Sequence, residues 1–196
     1  MVYQGIGNEM KKQWIFFFIA SLLAFNLQAS LFEANVQMVN FPQEQEKKII
    51  VAIQLIKKVV TSDEFKERII SHVINGKKTF MDNNGFTNEE IYQKIIEGAE
   101  VLKPDKNKSM DVVLELYNQA NNTIGYTYPH TSRIWINSKF FNTYSPVQVA
   151  DNLFHEWMHK LGFDHEIKYS KNRNYSVPYA IGYLVEELAR KHYLTD

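Results

Sequence analysis

Residues His155-Glu156-Trp157-Met158-His159-Lys160-Leu161-Gly162-Phe163-Asp164-His165 constrain this chain more than any other stretch, because they read H-E-x-x-H-x-x-G-x-x-H. Four residues of α-helix turn through about 400°, so His155 and His159 share one face and both imidazoles can point at one metal ion. Gly162 lets the chain leave the helix with φ > 0 at little steric cost, and the residues after it can swing His165 back to the same point. Three neutral imidazoles with an open fourth position describe a catalytic zinc site rather than a closed structural one. Glu156 lies about 100° round the helix from His155. There its carboxylate can take a proton from a water that the metal has made acidic. The pattern therefore predicts Zn2+ as cofactor, His155, His159 and His165 as its ligands, and Glu156 as the catalytic base. Five such fixed positions arise by chance in a chain of this length with a probability on the order of 10⁻⁵.

The helix is predicted independently of the histidines. Ser145-Pro146-Val147-Gln148 supplies an N-cap, a proline at the first helical position and a Gln three residues after the cap. Ala150, Leu153, Phe154, Trp157 and Leu161 then fall on one side at helical spacing, and Gln148, Asn152, His155 and His159 on the other. The apolar side, with Trp157 and Met158, is expected in the core while the histidines face a cleft.

With all five motif positions filled, the sequence resembles the metzincin clan of zinc metallopeptidases. The resemblance implies an α+β zincin-like single domain with a small mixed sheet, an active-site helix and a C-terminal helix. It implies a hydrolase that cuts peptide bonds, a zinc metalloendopeptidase. It further implies an edge strand before the active-site helix that binds extended substrate, and residues 133–137 occupy that place in the order. An open edge offers N–H and C=O groups to a peptide; a plain sheet edge blunted by Arg133 and Lys139 is the alternative. Phe163, His165 and Glu166 together resemble the astacin branch, in which this Glu anchors the mature N-terminus, but the chain is short and lacks cysteines, and a surface charge is the other reading of Glu166. Metzincins also place a Ser-x-Met-x-Tyr turn beneath the metal. Ser176 matches, whereas Pro178 stands at the Met position and Ala180 at the Tyr position. Tyr179 or Tyr175 is the candidate phenol for stabilising an oxyanion, and each can equally be a packing tyrosine.

Two rivals remain. A thermolysin-like peptidase would take Glu186 or Glu187 as third ligand. A non-catalytic exported zinc-bound module would use the same cleft for recognition only.

The rest of the chain bounds the partners. There are 22 basic and 22 acidic residues and no basic stripe, which removes support for nucleic-acid binding. The absence of cysteine excludes disulfides, a lipoprotein cysteine and a cysteine-based zymogen switch. Expected partners are a peptide or protein substrate, with a membrane only if the leader stays uncleaved, and no second subunit. His72, His130 and His192 stand alone in sequence and are read as structural or surface residues.

Residues 1–29 read as a signal peptide, directing the protein to a secreted or periplasmic location. Lys11 and Lys12 precede the apolar run from Trp14 to Phe25, and Ala29 ends a small-residue cleavage site. No charge occurs from Gln13 through Phe32, so an uncleaved anchor is the competing reading. Cleavage would leave 20 basic and 21 acidic residues in a domain of residues 30–196.

Residues 43–75 read as helical, with Ile49, Ile50, Ile53, Ile56 and Val60 repeating after Pro42 and a second helix opening at Thr61-Ser62-Asp63-Glu64 and running through Val73. Residues 30–75 belong either to the catalytic domain or to a removable helical pro-segment. Thr87-Asn88-Glu89-Glu90 is a capping box for a helix to about Ala99. Strands follow near residues 112–116, 126–128 and 133–137. Pro178 opens a last helix with Ile181, Leu184, Val185 and Leu188 inward, and Glu186/Arg190 and Glu187/Lys191 at i,i+4 on its surface.

Overall fold

A computed structural model describes residues 32–193; the leader, residues 1–29, lies outside the described residues. They form an α+β domain of six α-helices and a four-stranded mixed sheet. The strands are β1 (Glu33–Val39), β2 (Ser109–Tyr117), β3 (Gly125–Thr127) and β4 (Arg133–Asn137). The helices are α1 (Gln43–Val60), α2 (Asp63–Ile70), α3 (Asn88–Glu97), α4 (Ser138–Phe141), α5 (Pro146–Lys160) and α6 (Val177–Tyr193). Among the described residues no helix is long and apolar enough to cross a membrane.

The sheet order is β1-β2-β4-β3, with β1, β2 and β4 parallel and β3 antiparallel to β4. Alternation along each strand sorts the faces. Met110, Val112 and Leu114 of β2 and Ile134 and Ile136 of β4 are buried. They meet the apolar faces of α1, α5 and α6 in one core. On the outer face Arg133 pairs with Glu115, and Trp135 stacks on Tyr126 with ring centroids 5.1 Å apart.

This order corrects the expected edge. β4, residues 133–137, is interior between β2 and β3, and the edge strand on that side is β3. The chain folds back between residues 127 and 133, so the short strand before β4 takes the outer position. Lys160, at the end of α5, holds that turn. Its ammonium donates to the carbonyls of Tyr128 (3.1 Å), Arg133 (2.9 Å) and Thr131.

β1 precedes the residues read as helical, 43–75; it pairs with β2 from Glu33↔Ser109 to Val39↔Glu115. In α1 the inward residues are Ile49, Ala52, Leu55, Ile56, Val59 and Val60, while Ile50 is exposed. The Ser62 side chain caps α2 as expected, accepting from Phe65 N. α2 ends at Ile70 rather than Val73, and the Asn88 side-chain amide donates to the carbonyls of Ile70 and His72, satisfying acceptors that a longer helix would bond itself. α3 opens on the predicted Thr87–Glu90 capping box and stops at Gly98, which takes a left-handed conformation at φ 63.

The four inward residues named for α6 are buried. Glu186 pairs with Arg190 at its surface. Glu187 reaches instead to Arg68 of α2, and Lys191 to Glu64.

Candidate metal centre

The helix that carries the histidine motif, α5, forms as its sequence dictates. The Ser145 side chain accepts from Gln148 N while the Gln148 side chain accepts from Ser145 N, a complete capping box. Ala150, Leu153, Phe154, Trp157 and Met158 are fully buried. Trp157 Nε1 donates to Glu100 Oε1 at 2.7 Å, and Glu100 also accepts from Asp111 N of β2 at 2.8 Å. One carboxylate thus ties the helix to the sheet. Burial pushes the Glu100 carboxyl above its ordinary value, against the pull of those two bonds. Gly162 ends the helix at φ 89, and Phe163 N donates back to Met158 O at 3.0 Å.

That exit carries His165 to the other two histidines. The ligating nitrogens available on His155, His159 and His165 all lie within 4.8 Å of one another. Two of the rings are also oriented by a main-chain carbonyl. His159 Nδ1 bonds the Phe163 carbonyl at 2.7 Å and His165 Nδ1 the Glu166 carbonyl at 3.0 Å. An Nδ1–H donated to a carbonyl leaves Nε2 with its lone pair free, the tautomer a metal needs. Burial first, and then the neighbouring histidines, hold His155 well below the ordinary imidazole value and lower His159 as well. Three imidazole nitrogens with one side open to a cleft could hold a metal ion.

The cleft has a volume of about 460 Å³ and runs between β3 and the His face of α5. Glu156 lines it, and burial pushes its carboxyl up to about 8 against the opposing pull of Lys160. A cation among the three imidazoles would favour the ionised form. Tyr179 also lines it, with its ring 4.4 Å from that of His155 and 4.8 Å from that of His165. Tyr175 stands outside this lining and is exposed. Glu166 is exposed on the loop beyond the third histidine. Glu187 is engaged by both Arg68 nitrogens at 2.9 Å, and His165, not Glu186 or Glu187, completes the cluster. α6 begins at Val177, and its Tyr179 is the residue packed against His155 and His165.

Asp151 and Arg173 are among the cleft residues that the sequence does not single out. Asp151 lies one helical turn before His155, and burial together with Glu186 pushes its carboxyl up to about 7. Its place on the polar face of α5 was the available signal. Arg173 comes from the loop after the motif, and no periodicity there marks it. Of the other histidines, His72 stacks on Phe80 at 4.0 Å and His130 on Tyr128 at 5.6 Å. A second hollow of about 530 Å³ lies over β1 and β2. Its Asp111 is already bonded by Asn35 and Asn107, so its polar groups serve one another.

No protein-family model matches the chain, and none of the curated proteins matches it either.

Proposed function

We propose that this protein is a zinc-dependent endopeptidase of metzincin type, exported by its N-terminal leader. The observation that carries the reading is the convergence of three imidazoles, two of them oriented by carbonyls, with a buried glutamate on one open cleft. A Glu beside three metal-ligating histidines is superfluous for holding metal and useful for moving a proton.

His155, His159 and His165 hold the ion, which when bound supplies Lewis-acid polarisation and acidifies water. Glu156 accepts the proton of the attacking water and returns it to the leaving amine. The Tyr179 phenol, packed against two of the three imidazoles, donates to the oxyanion that develops at the scissile carbonyl. β3 offers its free edge to an extended peptide across the cleft from α5. Gly125 lets strand and helix approach closely, since a Cβ there would stand 2.8 Å from Asn152 Oδ1.

Glu156→Gln tests the reading. The change keeps size and helix and leaves the three histidines in place, so metal content should match wild type. Peptide cleavage should fall by about 10²–10⁴-fold. The measurement is cleavage rate against a peptide library at equal metal content. Full activity in the variant removes Glu156 from the chemistry, and a wild type that binds zinc and cuts nothing leaves a recognition module. Export is tested by the mature N-terminus, expected near Ser30 by mass spectrometry; an intact residue 1 or 10 indicates an uncleaved anchor.

A further inference from the structure

The chain has four arginines. Three of them are paired with carboxylates: Arg68 with Glu187, Arg133 with Glu115 and Arg190 with Glu186. Arg173 is the exception. Among the described residues no carboxylate lies within ion-pair distance of it, and its Nε is buried without a hydrogen-bond partner.

Its backbone is, by contrast, fully tied. Arg173 N donates to Ser170 Oγ at 3.2 Å, and its carbonyl accepts from Ser176 Oγ at 2.7 Å and Ser176 N at 3.1 Å. The 3-10 turn Arg173–Tyr175 is therefore fixed to the start of α6, and the guanidinium is presented to the cleft it lines. The guanidinium carbon sits 4.7 Å from the centroid of the Tyr179 ring. That ring lies against His155 and His165, which puts the charge at most about 9 Å from the His155 ring by the two distances involved.

The two aspartates of the cleft do not neutralise it. Asp164 is 3.3 Å from His159 Nδ1. Asp151 interacts with Glu186 and stands above its ordinary value, whereas a guanidinium close by would hold it below. The arrangement is a cation stacked on an aromatic face, its planar donor fork unused, beside the metal centre. A carboxylate matches that fork with two parallel charge-assisted hydrogen bonds, which a single peptide carbonyl or side-chain amide cannot make. An extended chain covers about 3.3–3.6 Å per residue, so the anion that reaches Arg173 belongs to a residue within about three of the bond at the metal.

We propose that Arg173 anchors the substrate by a carboxylate, and that the ligands of this cleft are peptides carrying one within about three residues of the reacting bond. The bond itself rests on the peptidase reading; the anchoring does not. A peptide carboxylate has two sources, the chain terminus and an acidic side chain. Three labelled hexapeptides separate them: one with a free C-terminus and no acidic residue, its C-terminal amide, and an amide carrying one Glu.

Binding is measured by fluorescence anisotropy to zinc-loaded Glu156→Gln protein, which holds peptide without turnover. At least one carboxylate peptide should bind tenfold or more tighter than the plain amide. Preference for the free acid assigns the terminus, and preference for the Glu peptide assigns the side chain. Adding Arg173→Gln should abolish the preference, while Arg173→Lys, which keeps charge and loses the fork, should restore part of it. Metal content and thermal midpoint check that each variant is folded, and if Arg173→Gln does not fold, a reduced preference in Arg173→Lys carries the comparison. Equal binding of all three peptides, no binding of any, or an undiminished preference in a folded Arg173 variant overturns the proposal. Wild-type protein that prefers carboxylate peptides yet cuts none overturns the peptidase reading and leaves Arg173 in its role.

Discussion

Glu187 and His165 separate folding from metal binding at the level of single side chains. Glu187 receives two 2.9 Å bonds from Arg68 and joins α6 to α2. His165 spends its Nδ1 on a carbonyl and has its other nitrogen free. His165→Ala should therefore leave the fold intact and strip the protein of tightly held zinc, as should His155→Ala or His159→Ala. Glu186→Gln and Glu187→Gln should retain the metal, with Glu187→Gln costing about 0.5–1 kcal/mol of stability because the lost pair is half exposed. Metal analysis after dialysis gives the ranking, and the reverse order would make the site thermolysin-like. Asp151 gives a pH prediction. Its folded value of about 7 stands above the ordinary 3.8. Between those values the folded state binds the proton that the unfolded state has lost, so this residue's contribution makes stability fall as pH rises from about 4 to about 7. Asp151→Asn should flatten that part of the profile. Chemical denaturation at several pH values measures it, and an unchanged slope would mean that Asp151 does not keep the proton.

At the scale of elements, legibility followed sequence distance. The capping boxes at Ser145–Gln148 and Thr87–Glu90 and the left-handed exit at Gly162 involve residues close in the chain, and each formed as read. The position of His165 followed from the same local geometry. Which strand takes the sheet edge depends on the path between residues 127 and 133, and no residue of β4 encodes it. Arg173 was invisible for a related reason: only tertiary packing brings its loop over Tyr179. Lys160 occupies an unspecified position of the motif, yet it fixes the turn that makes β3 an edge. Burial pushes its ammonium down to about 8, and three carbonyls hold it in place. Lys160→Met fits the apolar stem and deprives those carbonyls of their donor. It should cost roughly 2–4 kcal/mol and raise amide exchange across residues 125–137 before the rest of the domain opens. Uniform loss of protection would mean that the turn does not open as a unit.

At the scale of the whole molecule, the question is whether residues 33–60 can be dispensed with, as a pro-segment would be. β1 covers the edge of β2 along seven residue pairs. α1 contributes six buried aliphatic side chains, Ile49, Ala52, Leu55, Ile56, Val59 and Val60, to the core shared with α5 and α6. At about 1.5–3 kcal/mol for each fully buried large side chain, five of them amount to roughly 7–15 kcal/mol, which is the entire net stability of an ordinary domain. Removing the segment would also leave β2 with an unpaired, apolar edge, a site for aggregation. A fragment beginning at residue 76 should therefore be insoluble or unfolded, show no cooperative transition and retain no zinc. A fragment of residues 32–196 should fold and hold about one zinc per chain. Circular dichroism on thermal scanning, with metal analysis of each fragment, decides between them. A folded, zinc-bound fragment lacking residues 33–75 would show that the helices behind the histidines stand without β1 and α1, and would favour the pro-segment as an account of them.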